Sequence, residues 1–201
     1  LGPRRFLSRI HDVGVHPKLG NVGSSPGLAV ALGGVGVSLE QLVAMYSALA
    51  RGGVFKDLSF SKGLNTVEAV PFYEQRATAA VADILKETPR PQGRYGGAAN
   101  RKIAFKTGTS SGYRDVLALG FDDTYTVGVW MGHPNAKPMP GKTGGGSAAP
   151  ILFRIFDFLP VQTRRKPALE AYAVQKKVPK NLKALLTVGE KPDFSSSTLF
   201  S

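Results

Sequence analysis

Apolar positions along this chain keep a helical rhythm in the first half and an alternating one in the second. Phe6, Leu7 and Ile10 fall at helical spacing, so residues 3–11 are expected to form a helix. The stretch from there to Gly36 is rich in glycine and broken by Pro17 and Pro26, and reads as loop. Ser38-Leu39-Glu40-Gln41 fits a capping box, in which the serine oxygen takes a free backbone N–H and the glutamine reaches back. The helix behind it sets Leu39, Leu42, Val43, Tyr46 and Leu49 on one broad face, and Gly52-Gly53 supplies the left-handed residue that closes helices. Residues 54–70 suggest two short strands joined by Gly63. A further helix is expected over Glu74 to Lys86, with Ala77, Val81, Ile84 and Leu85 inward, stopped by Pro89 and Pro91. A loop then runs through Gly96-Gly97 to Asn100.

Three strands follow, over Lys102–Thr109, Asp115–Phe121 and Tyr125–Met131. The last alternates, with Tyr125, Val127, Val129 and Met131 on one face and Thr126, Gly128 and Trp130 on the other. Asp122-Asp123 supplies a tight turn, so the last two strands should pair antiparallel. His133–Ser147 reads as loop and Ala148–Phe158 as a helix with Pro150 in its first turn, where no N–H is required. Beyond Pro160 the pattern decays into Arg164-Arg165-Lys166, Lys176-Lys177, Pro179-Lys180 and a serine run. Residues 161–201 therefore read as a basic linker or tail after a domain over 1–160. Helices, then a three-stranded meander, then a closing helix make an α+β class, an antiparallel sheet with flanking helices.

Composition changes this picture little. Of 201 residues, 42% are hydrophobic and 20% charged, which is foldable globular material. No apolar run approaches the roughly 18 residues of a membrane helix, and no secretory signal is visible. The chain opens at Leu1 inside what reads as a helix and is expected to be a piece of a longer protein. The absence of cysteine removes disulfide and thiolate chemistry. The net charge of +12 suits an anionic partner, yet the basic residues are scattered with no aromatic-plus-basic cluster, so no nucleic acid partner is expected.

The candidate chemistry sits at the end of the first meander strand, in Lys106-Thr107-Gly108-Thr109. A lysine beside a nucleophile raises the local potential, helps hold a neighbouring group deprotonated and attracts a carboxylate. Threonine hydroxyls can hydrogen-bond that carboxylate. A glycine lets a substrate backbone lie along the strand edge, and the N–H just beyond can donate to a developing oxyanion. Standing alone, the same triplet also describes a strand end with an exposed lysine.

The surrounding runs sharpen the choice. Residues 105–115, followed by Leu117-Ala118-Leu119-Gly120-Phe121 and Val127-Gly128-Val129-Trp130-Met131-Gly132, resemble the C-terminal half of a penicillin-binding protein transpeptidase domain. Residues 27–40 and Ser147-Ala148-Ala149-Pro150-Ile151-Leu152-Phe153 are similar to the bifunctional (class A) penicillin-binding proteins, most like the 1C type. The resemblance covers about residues 1–160. It implies the serine β-lactamase/penicillin-binding transpeptidase-like fold with its N-terminal part missing. The implied reaction is serine acyl transfer between peptidoglycan stem peptides, with β-lactams acylating the same serine. Within this chain it implies Lys106 and Thr109 as catalytic, and Thr107, Gly108, Thr109 and Tyr113 as substrate-binding. No cofactor or metal is implied. Class A members also carry a glycosyltransferase domain and a membrane anchor, at the periplasmic face of the bacterial inner membrane. The alternatives are a DD-carboxypeptidase or β-lactamase-type hydrolase of the same fold, and a non-catalytic basic module that binds an anionic polymer.

The family also needs a nucleophilic Ser-x-x-Lys and a Ser-x-Asn. The chain has no Ser-x-Asn, and its one Ser-x-x-Lys, Ser59-Phe60-Ser61-Lys62, precedes Gly63 in a strand-or-loop segment instead of opening a helix. Both serine motifs are expected upstream of Leu1, and this chain alone is expected to be inactive. His11, His16 and His133 lack ligand spacing and read as surface or loop residues. Gly144-Gly145-Gly146 lacks the context of a phosphate loop and reads as a flexible lead-in to a helix. Arg114-Asp115 reads as structural, the aspartate opening its strand, with Tyr113 and Arg114 near the cleft rim.

Overall fold

A computed structural model describes residues 2–19, 27, 30, 33–60 and 69–161. Helix α1 (Pro3–His11) is followed by a two-residue antiparallel pair, β1 (Lys18–Leu19) with β2 (Val35–Gly36). That pair departs from the loop expected there. Helix α2 (Leu39–Ala50) starts at the full capping box: Ser38 Oγ accepts from Gln41 N at 3.2 Å and Gln41 Oε1 accepts from Ser38 N at 3.4 Å. It closes through Gly52 and Gly53, at φ 70° and 101°. Strands β3 (Val54–Phe55) and β4 (Val70–Pro71) pair antiparallel, while Gly63 lies outside the described residues. Residues 162–201, the expected linker or tail, lie outside them too.

The main sheet is an antiparallel meander in the order β5 (Ala104–Thr109), β6 (Asp115–Phe121), β7 (Thr126–Gly132). Its register pairs Lys106 with Leu119 and Leu119 with Gly128. Each face is covered by a helix. On one, α4 (Ala149–Phe158) buries Leu152, Phe153 and Phe156 against Phe105, Val116, Ala118 and Val129. Tyr125, Val127 and Met131 join this cluster, as their alternation predicts. On the other face α2 comes so close at Gly128 that a Cβ there would meet Val43 Cγ2 at 2.5 Å and Leu39 Cδ1 at 3.0 Å. Glycine at this position sets the helix-to-sheet distance. The opposite side of α2 buries Ala44 and Ala48 with Ile10, Val15, Phe55 and Phe72, so the helix is a layer between the sheet and the N-terminal elements.

Helix α3 (Gln75–Lys86) is where the expected face fails. Its inward residues are Thr78 and Ala82, with Leu85 partly buried, whereas Ala77 and Val81 are exposed and Ile84 is 69% exposed. The helix meets Ala104 and Phe121 through Ala82, and the small side chain permits that approach. Its N-cap is Glu74, whose carboxylate accepts from Arg76 N and Ala77 N at 3.0 and 2.7 Å. These bonds hold the Glu74 carboxyl below its ordinary range.

The hairpin turn is tied to α4 by an arginine. Buried Arg101 donates to Asp122 Oδ2 at 2.5 Å and to the carbonyl of Leu159, with its guanidinium 5.8 and 6.0 Å from the ring centroids of Tyr125 and Phe156. Asp122 Oδ1 meanwhile accepts from Thr124 N and Tyr125 N, both at 2.7 Å. Arg90 gathers the carbonyls of Ala98, Ala99 and Arg101 at 2.6–3.0 Å and so organises the loop ahead of β5.

Candidate active site

The meander delivers Lys106-Thr107-Gly108-Thr109 to the outer edge of the sheet, where β5 has no strand partner but β6 among the described residues. Antiparallel pairs alternate between residues that bond across the ladder and residues whose backbone groups face away. Ser110 N donates to Asp115 O at 2.8 Å, so the even-numbered residues of β5 bond to β6. The N–H and C=O of Phe105, Thr107 and Thr109 therefore point out of the sheet. Two contacts agree with this phase. Thr88 Oγ1 donates to Phe105 O at 3.4 Å, and Lys106 Nζ curls round the edge to donate to Thr107 O at 2.9 Å. Thr88 occupies the upstream end of the edge, and from Thr107 onward no further strand pairs with it among the described residues.

Side chains alternate with the pleat. Lys106 and Gly108 share the α2 face, and Thr107 and Thr109 share the α4 face. An ammonium and two hydroxyls thus flank one stretch of outward-facing backbone. Gly108 has room for a side chain within the fold, since a Cβ there would meet only Leu117 Cβ, at an ordinary 3.8 Å. Among the described residues nothing demands glycine at 108, in contrast to Gly128.

The turn after β5 is held in an uncommon conformation. Gly112 and Tyr113 both have positive φ, 74° and 57°, and Tyr113 remains 46% exposed beside the strand end. A bulky residue in the left-handed region costs on the order of 1–3 kcal/mol and persists only where its surroundings impose it. Those surroundings are the bonds Tyr113 N to Ser110 O at 3.0 Å, Met139 N to Tyr113 O at 2.8 Å and Asp115 N to Ser110 Oγ at 2.8 Å. Asp115 opens β6, as expected, and its Oδ1 accepts from Trp130 Nε1 at 3.0 Å.

Gly144 was not expected to matter. It is buried at the start of a π-helical turn (Gly144–Ala148) leading into α4, and its N–H donates to Thr109 Oγ1 at 3.0 Å. A Cβ on it would lie 2.7 Å from Thr107 Cβ and 2.8 Å from the carbonyl oxygens of Gly108 and Leu117. The expected flexible lead-in is therefore a tight contact against the strand. A glycine triplet before a helix could have flagged it, but only the fold shows what it touches.

The other candidates lie on other segments of the chain. Ser59 is exposed in the segment after β3 and opens no helix, while Ser61 and Lys62 lie outside the described residues. His11 and His16 meet edge to face with centroids 4.5 Å apart, and His133 is exposed after β7. An open cleft of about 540 Å³ is lined by His16, Lys18, Gly36, Val37, Ser38 and Gln41, with Ser38 and Gln41 already committed to the α2 cap. Among the described residues no helix is long and apolar enough to cross a membrane.

Residues 9–157 match the family model described as the penicillin binding protein transpeptidase domain. Penicillin-binding protein 1C of Escherichia coli (strain K12) is 34% identical over 158 residues, which cover 79% of this chain and 20% of that protein. Penicillin-binding protein 1A of Aquifex aeolicus (strain VF5) is 30% identical over 164 residues, covering 76% of this chain and 22% of its own length. The chain thus spans about a fifth of these curated relatives. Among solved structures, the PonA1 protein of Mycobacterium tuberculosis in complex with penicillin V superposes with a TM-score of 0.64 at 17% identity, over 82% of this chain and 52% of that one. The fold is that of the penicillin-binding transpeptidases, and the chain belongs to the penicillin-binding protein transpeptidase domain family.

Proposed function

We propose that this chain forms the Lys-Thr-Gly wall of a peptidoglycan DD-transpeptidase active site, and that the nucleophilic serine comes from a part of the protein outside residues 1–201. The observation that carries this reading is the open edge of β5, with backbone groups of Thr107 and Thr109 facing outward between Lys106 and two threonine hydroxyls. A stem peptide, or a β-lactam in its place, lies along that edge as an added strand. Lys106 supplies positive potential at the nucleophile, which favours its deprotonated form. Thr107 and Thr109 bond the substrate carboxylate, and the Thr109 N–H donates to the oxyanion that forms when the serine attacks the carbonyl. Gly108 lets the substrate backbone come close, and Tyr113 borders the entrance. The acyl-enzyme passes to an amine of a second stem, with D-alanine as the first leaving group. The full-length protein sits at the periplasmic face of the inner membrane and carries a glycosyltransferase domain.

Fluorescent penicillin tests this directly. The full-length protein is expected to be labelled covalently, and residues 1–201 alone to remain unlabelled. Labelling of residues 1–201 that Ser59→Ala abolishes would overturn the placement of the nucleophile. Hydrolysis of a stem-peptide analogue without transfer to an added amine would make the protein a carboxypeptidase instead.

A further inference from the structure

The segment between β7 and α4 reaches the site through two backbone donors, Met139 N to Tyr113 O at 2.8 Å and Gly144 N to Thr109 Oγ1 at 3.0 Å. Gly144 is locked where it stands. The space its Cβ would need is filled by Thr107 Cβ and the Gly108 and Leu117 carbonyls. Its turn is closed by Thr143 Oγ1, which accepts from Gly146 N at 3.1 Å, and by Ser147 N, which donates to Thr143 O at 2.8 Å. The turn then runs without interruption into α4, whose Leu152, Phe153 and Phe156 are fully buried.

A hydroxyl has one proton to donate and two lone pairs to accept with. Once a fixed N–H occupies one lone pair of Thr109, the hydroxyl rotor loses freedom and its proton is directed away from that donor. From the packing of Gly144 we infer that it is a positioning residue, whose N–H presets the Thr109 hydroxyl as a donor to the carboxylate of the substrate. This rests on the reading of Thr109 as a carboxylate-binding residue. It adds a specificity determinant 35 residues away, built into the first turn of the closing helix. An unheld threonine would have to be ordered at the moment of binding, whereas this one is ordered by the core.

The test uses the full-length protein and one β-lactam in two forms, the free acid and its methyl ester, with the acylation rate constant measured for each. The wild type is expected to prefer the acid. Thr109→Val should reduce that preference about tenfold, the scale of one hydrogen bond to a charged group. Gly144→Ala should reduce it comparably, and the two changes together should cost little more than either alone. If Gly144→Ala slows acid and ester equally, or its effect adds fully to that of Thr109→Val, its role is only structural and the inference falls. If Gly144→Ala does not fold, Thr143→Val decides, because it loosens the turn without adding a Cβ at 144. It should lower the preference for the acid in the same direction, and an unchanged preference overturns the inference. A loss in Thr109→Val with none in the Gly144 and Thr143 variants removes this inference alone. An unchanged preference in Thr109→Val removes the carboxylate reading beneath it as well.

Discussion

At the scale of single residues, two glycines at the candidate site differ in what surrounds them. Gly144 is demanded by the fold, because its Cβ would overlap backbone and side-chain atoms of β5 and β6. Gly108 is not, since the nearest atom to its Cβ would be at 3.8 Å. On the proposed function, glycine at 108 serves the substrate that lies along the edge. Gly108→Ala is therefore expected to leave thermal stability within about 0.5 kcal/mol, as for substitutions that touch nothing, while acylation by penicillin falls severalfold. Calorimetry and labelling kinetics on the same preparation check both halves. A parallel loss of stability would return Gly108 to a structural role. Tyr73 gives a pH dependence at this scale. Burial, with a smaller contribution from Tyr46, pushes its hydroxyl up to about 12, above the ordinary 10. The folded state thus disfavours ionised Tyr73, and this contribution is fully present below pH 10. It is lost as pH rises from about 10 toward 12, where the unfolded chain ionises first. The melting temperature should fall across that interval, and Tyr73→Phe should flatten the fall.

Between elements, the clearest dependence is the tie from the β6–β7 turn to the end of α4 through Arg101. Removing one partner of a buried ion pair strands the other, at a cost of about 3–5 kcal/mol. Asp122→Ala is expected to reach that range, because the same carboxylate also holds Thr124 N and Tyr125 N. Denaturant unfolding measures it, and a change below 1 kcal/mol would mean the pair is dispensable. Elements were legible in the sequence where local chemistry marks them. The Ser38 box, the Gly52-Gly53 stop and the alternation of β7 all stand where the residues put them. The inward face of α3 was not, because apolar periodicity shows which residues can be buried, not which are small enough to let a helix approach a strand. Ala77, Val81 and Ile84 satisfy the first condition, and Thr78 and Ala82 the second. The candidate site was legible as a motif but not as a geometry. Lys106 to Thr109 could be named from the chain, whereas the phase that turns the Thr107 and Thr109 backbone outward, the hold of Thr88 on Phe105 and the Gly144 contact depend on segments brought together by folding.

For the whole molecule, the sheet has three strands, and among the described residues both outer strands lack a further partner. The edge of β5 is the proposed substrate track. The edge of β7, with Trp130 44% exposed, and the outward face of α3, with Val81 and Ile84, leave apolar surface open to water. Unpaired edges invite association. Residues 1–201 on their own are expected to elute as concentration-dependent oligomers and to melt with poor cooperativity. A monomer with a sharp transition would show that this part of the fold stands alone.

Whether the edge of β5 is a wall of the acylation site is decided by the second-order rate constant for acylation of the full-length protein by penicillin, with and without Lys106→Ala. Removing one preorganised electrostatic stabiliser of a transition state costs about 10²–10³-fold. A fall of at least about 100-fold with the fold intact is expected, and an unchanged rate constant would remove the β5 edge from the acylation site.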